Sequence, residues 1–145
     1  MNHNKLWAIE LFCDHGVKLD DVSHNGGMNP LIYAAQRGHN EIAMYLSLRV
    51  KDINVEDQET GHNIFSIFMI KRDILRMHQL LMRGADINYL NRKTGMTHLR
   101  HAIDEKLPVK VINFLLKSGA NPHILDFKDQ DSCDVTKHMS MYKKV

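Results

Sequence analysis

Cysteine, proline and tryptophan are scarce in this chain of 145 residues, which holds two, three and one of them. Two cysteines, Cys13 and Cys133, make neither a disulfide framework nor a metal quartet, so a reducing, intracellular and most simply cytoplasmic setting is expected. Neither sign of charge is in marked excess. Lys plus Arg is 19 and Asp plus Glu is 17, a net charge of +2. That balance argues against nucleic acid or an anionic membrane as the main partner. No uninterrupted apolar stretch approaches the ~20 residues that cross a bilayer. The start, Met1-Asn2-His3-Asn4-Lys5, lacks the charged and then apolar pattern of a secretory leader. Gly26-Gly27 runs into Met28-Asn29-Pro30 without the Gly-Lys-Ser/Thr of a phosphate loop and reads as a tight turn. What remains, 43% apolar and 25% charged residues, is ordinary globular usage and fits one domain.

The chain repeats itself. Gly27, Gly61 and Gly95 stand 34 residues apart, and Asn29, Asn63 and Thr97 follow at the same interval. Asp52-Ile53-Asn54 recurs as Asp86-Ile87-Asn88, again 34 residues on. Gly84 to Gly119 is 35, so the third unit has one extra residue, expected between Asp104 and Pro108. Each unit reads as turn, helix, turn, helix. Asn29, Asn63 and Thr97 are side chains that accept hydrogen bonds from the free N–H groups of a helix start. Pro30 suits a first helical position, where no N–H is needed. The first helices are predicted at 30–37, 64–71 and 98–105, and the second at 40–48, 74–83 and 109–117. Gly38, Gly84 and Gly119 are expected to end helices. Helix pairs this short hide their apolar faces only by stacking on neighbours.

This pattern resembles the ankyrin repeat. Residues 27–55 carry it most clearly, at Gly27, Pro30-Leu31, Ala34-Ala35, Gly38-His39, Glu41-Ile42, Leu46 and Asp52-Ile53-Asn54. The resemblance implies an all-α solenoid of stacked helix-turn-helix units with short hairpin-like loops, one domain over 1–145. Its units would be a partial one at 3–20, full ones at 24–56, 57–90 and 91–124, and a degenerate one at 125–145. The departures are specific. The family's Thr-Pro-Leu-His is Asn29-Pro30-Leu31-Ile32, Asn63-Ile64-Phe65-Ser66 and Thr97-His98-Leu99-Arg100, so the histidine slot and its hydrogen bonds are lost or replaced. Phe68-Met69 fills the slot of the small pair Ala34-Ala35, and Arg76 takes an apolar position. The middle unit is therefore expected to be the least regular.

Ten histidines raise the question of a metal. His98 and His101 are one helical turn apart, but zinc needs three or four ligands within reach. The plainer reading makes His39 the family's turn residue and the others surface or groove positions. Cys13 with His15, and Cys133 with His138, lack an activating neighbourhood. No catalytic residue, cofactor or metal is expected. Met44, Met77 and Met82 read as core filler. The resemblance implies one concave binding surface made of loop tips and first helices. Met28, Arg37, His62, Ile70, Lys71 and Met96 map to it, with Tyr89 and Leu90 at its border. Trp7, on an apolar stretch at 3–12, marks a second candidate contact at the end of the array. The function implied is a non-catalytic protein-binding adaptor or a subunit of a larger assembly. The alternative is a regulatory or targeting fragment of a larger enzyme or channel.

Overall fold

The computed structural model describes residues 29–124. These residues form three helix pairs: α1 (Pro30–Gln36) with α2 (Asn40–Ser47), α3 (Ile64–Ile70) with α4 (Ile74–Met82), and α5 (His98–Asp104) with α6 (Val109–Lys117). The helix starts agree with the sequence reading. Five of the six helices end one residue earlier than predicted, because Arg37, Leu48, Lys71, Arg83 and Glu105 act as C-caps. Asn29 Oδ1 accepts the Leu31 N–H at 2.8 Å, Asn63 Oδ1 accepts that of Ser66 at 3.0 Å, and Thr97 Oγ1 accepts that of Arg100 at 3.2 Å. Asp73, not anticipated as a cap, does the same for α4 through the Arg76 N–H at 3.2 Å.

The two helices of each unit pack on each other, and α1, α3 and α5 stack in turn, so the first helices form one layer and the second helices another. The core between them includes Leu31, Ala35, Ile64, Phe65, Phe68, Met69, Met77, Leu80, Leu99, Val111 and Leu115, all at most 1% exposed. The loops tie successive units by a ladder of asparagines. Asn54 Oδ1 accepts the Asp86 N–H and Asn88 Oδ1 accepts the Asn121 N–H, each at 2.8 Å. On the second-helix layer, Arg83 Nη1 donates to the Met44 carbonyl at 2.8 Å and to Ser47 Oγ at 2.5 Å, strapping α4 to α2. The extra residue of the third unit lies where expected. Four residues separate α5 from α6, against three in each earlier pair.

The middle unit is no less regular than its neighbours in element length, contrary to expectation. Phe68 and Met69 are completely buried. The unit slots matching Phe68 hold Ala34 before it and Ala102 after it, so a large side chain lies between small ones and the layer keeps its spacing. Arg76 is tolerated because its guanidinium pairs with Asp73 at 2.5 Å and lies 5.9 Å from the centroid of the Phe68 ring. In the lost histidine slot, the Ser66 hydroxyl lies 3.1 Å from Asn63 Oδ1 and 3.3 Å from His98 Nδ1.

All three first helices end in the same turn. The residue after the C-cap is left-handed: Gly38 at φ +82°, Arg72 at +60° and Lys106 at +52°. The next N–H then reaches back to the helix, from His39 to Ala34, Asp73 to Phe68 and Leu107 to Ala102, at 2.9, 3.0 and 2.9 Å. A side chain in this conformation costs about 1–2 kcal/mol relative to glycine, of which about 0.4–1 is returned through the more restricted unfolded chain. Arg72→Gly and Lys106→Gly should therefore each stabilise the fold by up to about 1 kcal/mol and raise the melting temperature by roughly 2–4 °C. The reverse change, Gly38→Arg, should lower it. Thermal unfolding followed by circular dichroism reads all three, and a loss on Arg72→Gly would refute the strain assignment.

Candidate functional site

The 34-residue period lays side chains out as a grid on the loop tips and the first helices. The tips are built alike. In the second unit the Asp57 N–H donates to the His62 carbonyl at 2.7 Å and the Gly61 N–H to the Asp57 carbonyl at 2.8 Å. In the third the matching bonds run from Asn91 to Met96 at 2.9 Å and from Gly95 to Asn91 at 2.7 Å. Gly61 and Gly95 share a positive φ, +73° and +71°, which this tight turn requires. Gln58, Glu59 and Thr60 stand exposed on one tip, and Arg92, Lys93 and Thr94 on the next. The tip row thus changes from acidic to basic.

Behind the tips, positions one turn apart on each first helix face the same side. Across the units these columns read Tyr33, Ile67 and His101; Gln36, Ile70 and Asp104; and Arg37, Lys71 and Glu105. Tyr33 is 44% exposed and Ile70 41%, while Ile67 is buried. The Arg37 guanidinium lies 5.2 Å from the centroid of the Tyr33 ring, a cation–π contact that holds both against the helix surface. The far end of the columns is acidic. Asp104 Oδ1 accepts from Arg100 Nε at 3.1 Å, and Glu105 is exposed.

Three histidines meet between the second and third units. His62 and His101 stand edge to face at 5.2 Å between ring centroids. His98 is buried, tilted on Phe65 at 4.7 Å and stacked on Tyr89 at 6.2 Å. Its Nε2 has no partner at hydrogen-bonding geometry, although the backbone of Asp86 is near enough to favour the charged ring slightly. Burial, reinforced by the neighbouring histidines, pushes its pKa down to about 3. Burial also lowers His62, with His101 adding to it against Asp57 and Glu105. It lowers His101 too, against Glu105 and Asp104. The reading of His98 as a surface or groove position is corrected. It occupies the first position of α5, the slot of Pro30 and Ile64; Ile64 is buried there as His98 is, whereas Pro30 is exposed. Among the described residues no three His, Cys, Asp or Glu side chains come together as a metal site.

Beside this cluster, Asp52, Asn54, Val55, Glu56, Gln58, Tyr89 and Arg92 line an open depression of about 260 Å³. The Tyr89 hydroxyl donates to Glu56 Oε2, and Arg92 Nε lies 3.6 Å from Glu56 Oε1. Burial, and then the Glu56 carboxylate, raise the Tyr89 pKa above its ordinary value.

The structure gathers some of the sequence candidates and reassigns others. Arg37 and Ile70 lie exposed on adjacent first helices. His62 and Met96 are half-buried at the tips, and Leu90 is half-buried in a bridge with Thr97. Tyr89 is held by Glu56. Lys71 as a whole is exposed, but its Nζ donates to the Ala35 carbonyl and lies 5.7 Å from the Phe68 ring centroid. Burial of that amine, with Arg76 nearby, lowers its pKa despite Asp73. Lys71 is therefore a tie between the first two units before it is a contact for anything else. Met28 and Trp7 lie outside the described residues. Sequence reasoning missed Tyr33, although the i, i+4 spacing of Tyr33 and Arg37 was a signal for it. Met82, expected in the core, is 76% exposed, whereas Met44 and Met77 are buried.

Residues 26–58 match the family model of the ankyrin repeat. A stretch of 53 residues is 42% identical to the 2-5A-dependent ribonuclease of Mus musculus, covering 37% of this chain and 7% of that protein. The chain thus spans a small fraction of the curated relative it matches. The fold is similar to that of an ankyrin repeat domain from Acinetobacter baumannii AYE, with a TM-score of 0.74 over 97% of this chain and 72% of that one, at 20% identity. No helix among the described residues is long and apolar enough to cross a membrane.

Proposed function

This chain is an ankyrin-repeat protein, and from that premise we propose that it is a non-catalytic binding module, an adaptor or a subunit of a larger assembly, that holds a protein partner on its tips and first helices. Ankyrin repeats are in general protein-interaction modules. The observation that carries the finer reading is the pair Tyr33 and Ile70. Two large apolar side chains stand 44% and 41% exposed on successive helices of the inner layer. They are bordered by Arg37 on one side and by Asp104 and Glu105 on the other. An apolar centre in a charged rim is the composition of a protein interface. Along the first-helix ends the border is basic at Arg37 and acidic at Asp104 and Glu105, the reverse of the tip row, so a segment lying on the first helices would run in one direction, acidic end toward Arg37.

The test is a double substitution, Tyr33→Lys with Ile70→Lys, in the full chain. Both sites are exposed, so helical circular dichroism and melting temperature should stay near those of the parent. Proteins captured by the parent in an affinity pull-down, identified by mass spectrometry, should be lost with the variant. An unchanged capture profile from a folded variant would refute the groove. A second reading, a regulatory or targeting segment of a longer enzyme, is favoured by one observation. The curated match is named as a ribonuclease, and it is matched over only 7% of its length.

A further inference from the structure

The most exposed large apolar side chains are not in the groove. Met82 is 76% exposed, Leu75 67% and Leu48 61%, and all three belong to the second-helix layer. Leu75 and Met82 are seven residues apart on α4, so they share one side of that helix at about 10.5 Å along its axis. Leu48, the C-cap of α2, holds in the first unit the position Met82 holds in the second. Helices α2 and α4 are neighbours through the Arg83 strap, and α4 and α6 through His78 and Phe114, whose rings lie 6.4 Å apart. On α6 the positions of Leu75 and Met82 are taken by Lys110 and Lys117, both exposed. Neither lysine is in an ion pair among the described residues. The outer layer therefore presents three apolar side chains on two adjacent helices, edged on α6 by two lysines at the same two-turn spacing and on α2 by the exposed Glu41, which holds the position of Leu75.

Single exposed apolar residues need no explanation, but a set in register does. With helices ~8–10 Å apart, the three side chains cover a patch about as long and wide as one face of a short helix. A helix with leucines at i, i+4 and i+7 spans the same ~10.5 Å. The lysine edge selects a partner whose flank is acidic at the same interval. We propose that this outer face docks an amphipathic helix of a partner protein, apolar on one side and acidic along one flank. The surface is separate from the groove, so each can be occupied while the other is engaged.

The experiment uses the full chain and a fluorescein-labelled designed helix with Leu at i, i+4 and i+7 and Glu along one flank, titrated by anisotropy. Saturable binding is expected, weakened at least tenfold when the Glu residues of the probe are replaced by Lys. Leu75→Ser with Met82→Ser should abolish it. Lys110→Glu with Lys117→Glu should weaken the Glu probe and improve the Lys probe. Ile70→Lys, in the groove, should leave binding of this probe unchanged while it impairs the groove, which separates this surface from the one proposed above. No saturable binding by the parent, or equal binding by the Leu75/Met82 variant, would overturn the proposal. So would a dimer of the parent in sedimentation that Leu75→Ser with Met82→Ser dissociates, since the occupant would then be a second copy of the chain.

Discussion

Gly61→Ala is expected to destabilise the protein by about 3–4 kcal/mol, and Gly38→Ala by only about 1, although both glycines have a positive φ, +73° and +82°. Both substitutions pay the left-handed strain of an alanine, partly returned by a less flexible unfolded chain. They differ in what the new methyl group meets. At Gly38 nothing lies within 4 Å. At Gly61 the added carbon would stand 2.1 Å from Asn91 Oδ1 and 2.8 Å from its Cγ. Asn91 is buried and has no freedom to retreat. Its Oδ1 accepts the N–H groups of Lys93 and Thr94 at 2.8 and 3.1 Å, and its Nδ2 donates to the Thr60 carbonyl at 3.2 Å. Moving it breaks the bonds that shape the third tip and the one that joins the second tip to it. Each buried polar group left without a partner costs about 1–3 kcal/mol. In thermal unfolding followed by circular dichroism, Gly61→Ala should melt about 10 °C below the parent and Gly38→Ala within a few degrees of it. Equal losses would mean that backbone strain alone sets the cost and that the packing of one tip on the next contributes nothing.

The contrast between these two glycines also marks what could be read from the sequence. Features contained within one unit were legible. The caps Asn29, Asn63 and Thr97, the proline at the first helical position and the extra residue between α5 and α6 all follow from local chemistry and counting. So was the fold, because short helix pairs at a fixed interval have one way to bury their apolar sides. Features made between units were not legible. The period places Gly61, but only the neighbouring unit supplies the Asn91 that it must make room for. Lys71 occupies a groove position by count, yet its amine is spent on the carbonyl of Ala35, a residue of the preceding unit. Met82 has the helical spacing of a core residue and faces outward, because α4 turns Met77 and Leu80 to the core and Leu75 and Met82 away from it. The left-handed Arg72 and Lys106 were hidden for another reason. Their residue types argue against the conformation that the shared turn imposes.

His98 is the sharpest case of a residue whose neighbours decide its role, and its consequence is acid lability. The folded state keeps the ring neutral, with a pKa near 3, while the unfolded chain has the ordinary value near 6.5. As pH falls through 6.5 the unfolded state takes up a proton that the folded state refuses. Stability is therefore fully present above about pH 6.5 and is lost progressively as pH falls toward 3. From His98 alone the loss between pH 7.5 and pH 5 should be about 2 kcal/mol. His62 and His101 are lowered as well and add in the same direction. Urea denaturation at a series of pH values measures the slope, and His98→Ile isolates its source. Ile64 fills the matching slot of the second unit and is completely buried, so an isoleucine suits the site. Ser66, which loses His98, keeps its hydroxyl contact with Asn63 Oδ1. The variant should match or exceed the parent at pH 7.5 and gain on it by about 2 kcal/mol at pH 5. The His98 ring resonances of the folded parent should meanwhile stay unshifted down to about pH 4. If parent and variant lose stability in parallel, or if His98 titrates near 6.5 in the folded state, the ring is not sealed between Phe65 and Tyr89 and the joint between the second and third units is open to water.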